Sequence, residues 1–242
     1  MHPVLIIQNQ PNDGPAYLRT WLHANGVDYH IVEAWHQTVP SNIRPWSALA
    51  VLGGAMSAND PTPNLFRTQI LILQAVHSGI PVAGHCLGGQ LLAKALGGIV
   101  EKSPMPEVGW QRVEWFNTTE SIKWFGARPT TNVMHWHYEA FTLPEGAVLL
   151  ASSPACPNQA FSYGPHIGMQ FHIEVDADKV AVWASETEAA WSEALGKYGS
   201  VQDIPGILSG ITPNMEHHQK TAGHLYRQWL STTGWAEKLP VK

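Results

Sequence analysis

Cys86 is the residue whose setting most directly suggests chemistry. It lies in the run PVAGHCLGGQLLAKALGG, residues 81–98, between Gly84 and Gly88. A short apolar strand, 81–84, ends just before it. A helix then begins, with Leu91, Leu92, Ala95 and Leu96 on one face and Gly97-Gly98 as its stop. A nucleophile on such a strand-turn-helix corner forms a nucleophile elbow. Small neighbours permit the sharp turn. The turn lifts the thiol out of the sheet and over the positive end of the following helix, a setting that favours a thiolate.

A nucleophilic thiol needs a base, and the base needs an orienting acceptor. Residues 167–175 read IGMQFHIEV. His172 and Glu174, two apart at the end of an apolar strand, are expected to share one face. A third run, LAVLGGAMS at 49–57, carries an apolar strand into Gly53-Gly54. The Gly54 amide and the Leu87 amide, just after the nucleophile, are candidate oxyanion donors. Cys156, between Pro154 and Pro157 in a loop, has no such setting and reads as a small buried hydrophobe.

These residues must be held by a regular scaffold. Val4 to Gln8 reads as a buried strand. Pro15 opens a helix with Leu18, Trp21 and Leu22 on its apolar face, and Gly26 closes it. Strands follow at 29–32 and 49–52. Phe66, Ile70, Leu73 and Val76 recur at helical spacing and predict a second helix. Strands alternating with helices imply a mainly parallel sheet covered on both faces, with the site beyond the carboxyl ends of its strands. From Gly109 to Phe171 the chain is rich in strands. Val180, Trp183, Thr187, Trp191 and Leu195 predict one helix in the tail. Met215, His218, Ala222, Leu225 and Trp229 predict another, with Asn214 as its N-cap.

The runs GHCLGGQ, GGAMS and QFHIEV resemble the class I glutamine amidotransferases, in particular the glutaminase domain of GMP synthetase and its free-standing relatives. The similarity runs from about residue 3 to about residue 175. PEVGW at 106–110 and HWHYEAFTLPEGAVLLASS leading to NQAF, within 135–161, are similar to the free-standing group. The resemblance implies an α/β, flavodoxin-like three-layer sandwich with a mainly parallel central sheet, an elbow cysteine and extra C-terminal helices. It implies one domain over 1–242, with a core at 1–175 and a helical extension at 176–242.

The implied activity is hydrolysis of a γ-glutamyl amide, with Cys86, His172 and Glu174 catalytic and no cofactor. Gln90 is implied at the substrate's amino acid end, and Gly53, His137 and Tyr138 in the same pocket. Two positions depart from the family pattern. His85 precedes the nucleophile, where an apolar or small residue is usual; strand alternation turns it away from Cys86 into a structural role. Ile173 replaces the usual proline and keeps β geometry.

Composition agrees with an enzyme acting on small molecules. Hydrophobic residues make up 44% of the 242, enough for a sizeable core. The net charge is −5, and the 14 Lys and Arg form no cluster, which argues against nucleic acid as a partner. Two cysteines form no disulfide framework, and a working thiol suits a reducing, cytoplasmic compartment. The N-terminal run lacks a signal-peptide pattern, and no stretch approaches a membrane span.

The 13 histidines include His135 and His137 on one strand face and His217, His218 and His224 near the end of the chain. None has convincing metal-ligand spacing, so no metal is expected. Of the 11 tryptophans, Trp110 and Trp136 are the pocket candidates. Residues 175–242 are too few for a nucleotide-activating synthetase domain. That leaves either an acceptor subunit in trans, taking ammonia, or a free-standing γ-glutamyl hydrolase. A third alternative is a redox sensor or chaperone of related fold, in which the thiol is an oxidation switch. The oriented base argues against it.

Overall fold

The computed structural model describes residues 1–127 and 130–239. Its framework is a nine-stranded mixed sheet. The strands are β1 (Val4–Gln8), β2 (Tyr29–Glu33), β3 (Ala48–Val51), β4 (Val82–His85), β5 (Val100–Trp115), β6 (Thr130–Phe141), β7 (Val148–Ser152), β8 (Ala160–Tyr163) and β9 (His166–Met169). They lie in the order β2-β1-β3-β4-β9-β8-β7-β5-β6. Pairing is parallel from β2 through β9. It becomes antiparallel from β9 through β8, β7 and β5 to β6.

The parallel strands read as unbroken apolar runs because both their faces are covered. In β1, Val4 and Ile6 pack with Leu18, Trp21, Leu225 and Trp229 on one side. Leu5 and Ile7 pack with Leu71, Ile72, Leu91 and Leu92 on the other. The first layer is built from α1 (Ala16–Ala24), α4 (Thr119–Phe125) and α8 (Ile211–Trp229), the second from α2 (Pro63–His77) and α3 (Leu87–Ala95). The result is the expected three-layer α/β sandwich with extra C-terminal helices.

Two local expectations are corrected, and the buried face of α2 is not the stripe that marks it in the sequence. Helix α2 forms, but Leu65, Thr68, Leu71, Ile72 and Ala75 are its buried residues. Phe66 and Leu73 are 64% and 48% exposed, and Ile70 is exposed too. Two apolar stripes share this helix, and the one that includes small Ala75 and Thr68 meets the sheet. The first tail helix is broken into α5 (Ala177–Ser185) and α6 (Ala189–Ala194), so Thr187 lies in the gap. A short α7 (Ile204–Ser209) follows. Helix α8 starts at Ile211, so Asn214 is inside its first turn and donates its side-chain amide back to the Gly210 carbonyl at 2.8 Å.

The tail packs at two places. Ala222, Leu225, Tyr226 and Trp229 of α8 join the sheet core. Val180, Trp183 and Ala194 form a separate cluster with Val108, Trp110 and Met134 of β5 and β6.

Candidate active site

The carboxyl ends of β1, β3, β4 and β9 converge on one cavity of about 470 Å³. Cys86, the residue after β4, is the N-cap of α3, with φ +48° and ψ −106°. This is left-handed backbone for a residue with a side chain, a strained geometry concentrated at functional sites. Its amide is tied to the Met169 carbonyl of β9 at 2.9 Å. The flanking glycines are required by contact: a Cβ on Gly84 would meet the Gly88 backbone, and one on Gly88 would meet the Val51 carbonyl. His85 turns beneath the elbow, fully buried. Its Nδ1 is 3.4 Å from the Val51 carbonyl, and its Nε2 is 3.4 Å from the Tyr226 hydroxyl of α8. Burial holds its pKa below the usual histidine range.

His172 and Glu174 do not continue a strand. β9 stops at Met169, and His172 makes one isolated bridge to Met134 of β6. The segment then turns, and the turn brings the side chains together. His172 Nδ1 donates to Glu174 Oε1 at 2.8 Å. The ring's other nitrogen is thereby left free toward the Cys86 sulfur, whose influence raises the His172 pKa. Burial alone would push the His172 pKa down. The Glu174 carboxylate and the Cys86 sulfur overcome that effect and hold it at about 10. Burial opposes the Glu174 charge as well, but Lys179 and His172 keep its carboxyl well below the usual range.

Lys179 of α5 was not anticipated from sequence. Its Nζ is 2.8 Å from Glu174 Oε1 and 2.5 Å from Asp13 Oδ1. The Trp183 ring lies edge-on to His172 at 4.6 Å between centroids. Glu186 and Glu188, in the break between α5 and α6, also line the cavity. A lone lysine beside the apolar positions Val180 and Trp183 was the available signal; its partner Asp13 lies far away in sequence.

Of the expected site residues, Cys86, Gly54, Gln90, His137, Tyr138 and His172 line the cavity. Glu174 lies behind His172, and Gly53 sits so close that a Cβ there would strike His172 and Asp13. Leu87 contributes the first N–H of α3, which has no partner within the helix. The His137 ring is committed elsewhere, at 3.0 Å from Glu107 Oε2 and 3.1 Å from the Glu139 carbonyl. Trp136 lines the cavity as expected, with its indole N–H on Glu188 Oε1 at 2.9 Å. Trp110 does not; it packs against His218 and donates to the Ile207 carbonyl. Cys156 is buried, its thiol pushed up to about 12 by desolvation.

Among the described residues, two groups bring three metal-type ligand atoms within 4.8 Å: Glu107 with His135 and His137, and Asp13 with His172 and Glu174. In the second, the Lys179 ammonium is bonded to both carboxylates. In the first, Glu107 already accepts hydrogen bonds from Ser153 and Gln159 and pairs with His137. His135 is kept neutral by burial, its pKa lowered to about 3. No described helix is long and apolar enough to cross a membrane.

Comparison with known proteins agrees with this geometry. The family profile described as glutamine amidotransferase class-I matches residues 18–180. A crystal structure of a glutamine amidotransferase from Methylobacillus flagellatus superposes with a TM-score of 0.90 at 35% identity, covering 100% of this chain and 97% of that one. A glutamine amidotransferase-like protein, YfeJ, of Salmonella typhimurium is 34% identical over 173 residues, 66% of this chain and 70% of that protein. A glutamine-hydrolysing GMP synthase from Aeropyrum pernix is 42% identical over 99 residues, 40% of this chain but only 19% of that protein. The match to the profile over most of the chain, with a cysteine, histidine and glutamate gathered at the strand ends, places the chain in the class I glutamine amidotransferase family, whose domains hydrolyse the side-chain amide of glutamine.

Proposed function

We propose that Cys86 is the nucleophile of a glutaminase-type reaction, that His172 is its acid–base partner and that Glu174 orients His172. The observation that carries this reading is the 2.8 Å bond from His172 Nδ1 to Glu174 Oε1 behind a strained cysteine at the cavity floor. The Cys86 proton passes to His172, and the sulfur attacks the δ-carbonyl of the γ-glutamyl group. The Gly54 and Leu87 amides receive the oxyanion; one such donor is typically worth about 3 kcal/mol of barrier. The C–N bond breaks as His172 protonates the departing amine, leaving a γ-glutamyl thioester. Water then attacks, His172 takes its proton, and glutamate leaves with the thiol restored. Gln90 and Tyr138 line the cavity where the substrate's amino acid end is held, with Gly53 and His137 supporting that wall.

In the first reading the amine is ammonia, delivered to an acceptor or synthetase subunit in a reducing compartment, the cytoplasm. The second reading, a γ-glutamyl peptide or conjugate hydrolase, is favoured by one feature. Trp183, Glu186 and Glu188 line the cavity, with Trp183 edge-on to His172, the residue that protonates the departing amine. A cavity of about 470 Å³ falls within the range of pockets for small molecules larger than ammonia plus glutamate.

Glutamate release from glutamine and from a panel of γ-glutamyl peptides, with Cys86→Ala as the blank, separates the two. Faster turnover of the peptides supports the hydrolase. Turnover of glutamine alone, stimulated by a co-purifying ATP-using subunit, supports the amidotransferase. Equal turnover by the blank rejects both.

A further inference from the structure

Gln170 follows β9 and is fully buried. Its Nε2 is 3.7 Å from the Cys86 sulfur, and its Oε1 is 3.3 Å from Gln90 Nε2. The direction of this amide is fixed from outside. The Glu139 carbonyl can only accept, and Gln90 Nε2 lies 3.1 Å from it. Gln90 therefore presents its NH2 group on this side, and Gln170 must offer it an oxygen. The Gln170 NH2 group is then left facing the sulfur.

From this relay we infer that Gln170 is a further catalytic residue, an N–H donor that stabilises the Cys86 thiolate alongside the acid–base histidine. The inference rests on Cys86 being the nucleophile. A second contact of the sulfur complements it: Sγ is 3.8 Å from the Trp136 carbonyl, which can accept an S–H. The thiol thus has an acceptor and the thiolate a donor. When the proton moves from sulfur to His172, the sulfur's lone pair is met by the Gln170 N–H. When the S–C bond forms, that hydrogen bond weakens as the sulfur loses its charge. When the thioester is hydrolysed and the S–C bond breaks, the same N–H receives the thiolate as leaving group. Gln170 therefore assists both thiolate formation and deacylation. It also links the sulfur, through Gln90, to the wall of the substrate cavity.

Several charged or titratable groups face this region. They are His172, with Glu174 and Lys179 behind it, Asp13 from the β1–α1 loop, Glu139 and His137 from β6, and His85 below the elbow.

The test is the pH profile of Cys86 alkylation by iodoacetamide, read by peptide mass so that Cys156 does not contribute. The full chain is compared with Gln170→Leu and with Gln170→Glu, which keeps the side-chain size and puts a carboxylate in place of the donor. The midpoint is expected to move to higher pH by about one unit in Gln170→Leu, the usual scale for one hydrogen bond to a charged group. Gln170→Glu is expected to shift it in the same direction. At pH 7, kcat falls about tenfold in Gln170→Leu with KM unchanged. A merely structural role would lower the yield of folded protein without moving the midpoint. If either variant folds and keeps the wild-type profile, the inference is overturned. Alkylation requires no substrate, so a shifted profile in a protein that releases no glutamate, with or without a partner subunit, would count against the proposed reaction while leaving Gln170 as a donor to the Cys86 thiolate.

Discussion

Lys179 Nζ and His172 Nδ1 both lie 2.8 Å from the same oxygen, Oε1 of Glu174. The lysine belongs to α5 and the histidine to the segment after β9, so α5 takes part in setting the charge of the cavity. Lys179 also bonds the buried Asp13. Removing the ammonium would leave two buried carboxylates with one cation, His172, between them. Lys179→Met is therefore predicted to destabilise the fold by about 3–5 kcal/mol, the usual cost of breaking a buried ion pair from one side. Urea unfolding monitored by tryptophan fluorescence measures it. Lys179→Arg is expected to recover only part of the loss, because the fork of a guanidinium does not fit a site built for a point charge.

Glu174→Gln keeps the size of the side chain and removes the charge that holds His172 protonated. The amide can also present its NH2 to the ring and select the wrong tautomer. A drop in kcat of about 10²–10⁴-fold is expected, by analogy with the third member of a Ser-His-Asp triad. Steady-state glutamate release measures it, and little change in KM would mark the loss as one of chemistry.

The raised His172 pKa gives a directional pH prediction. The folded ring titrates at about 10, above its ordinary value of 6.5. Its contribution to stability is complete below about 6.5 and is lost as pH rises from there through about 10. Glu107 behaves oppositely: burial opposes its charge, but His135 and His137 hold its carboxyl at about 2, below its ordinary 4.5. That contribution is present above about 4.5 and is lost as pH falls through about 2. Thermal midpoints should therefore decline as pH rises above about 6.5 and as it falls below about 4.5, and kcat/KM should fall on the alkaline side as His172 loses its proton. A His172→Gln protein is predicted to lose the alkaline part of the stability decline.

Gly88→Ala tests the elbow without touching a chemical group. The new methyl would press on the Val51 carbonyl, a backbone atom of β3 that cannot swing aside. Strain of about 1–3 kcal/mol is expected, with the elbow displaced. Activity should fall more than stability. Circular dichroism and turnover on one preparation compare the two.

The sequence made the parallel half of the fold legible because strands buried on both faces have a distinctive pattern: Val4–Gln8 and Ala48–Val51 are almost wholly apolar and end in turn residues. The meeting of Cys86, His172 and Glu174 was legible for a related reason, since residues at and just beyond the carboxyl ends of neighbouring parallel strands converge. The buried face of α2 was not, because both Phe66-Ile70-Leu73 and Leu65-Ile72 have helical spacing and only the neighbouring sheet selects between them. The α5–α6 break was hidden because Trp183 and Trp191 continue one apolar period across it. Lys179 and Gln170 were hidden for another reason: each acts through partners distant in the chain, Asp13 in one case and Cys86 in the other. Local pattern carries no record of such contacts.

The central claim is that Cys86 forms a γ-glutamyl thioester. Acid quenching during turnover of the best γ-glutamyl substrate, followed by intact-mass and peptide analysis, tests it most directly. The account predicts a fraction of the chain heavier by one glutamyl group, carried on the peptide containing Cys86 and absent in Cys86→Ala. Turnover without any adduct on Cys86, together with undiminished activity in Cys86→Ala, would contradict it.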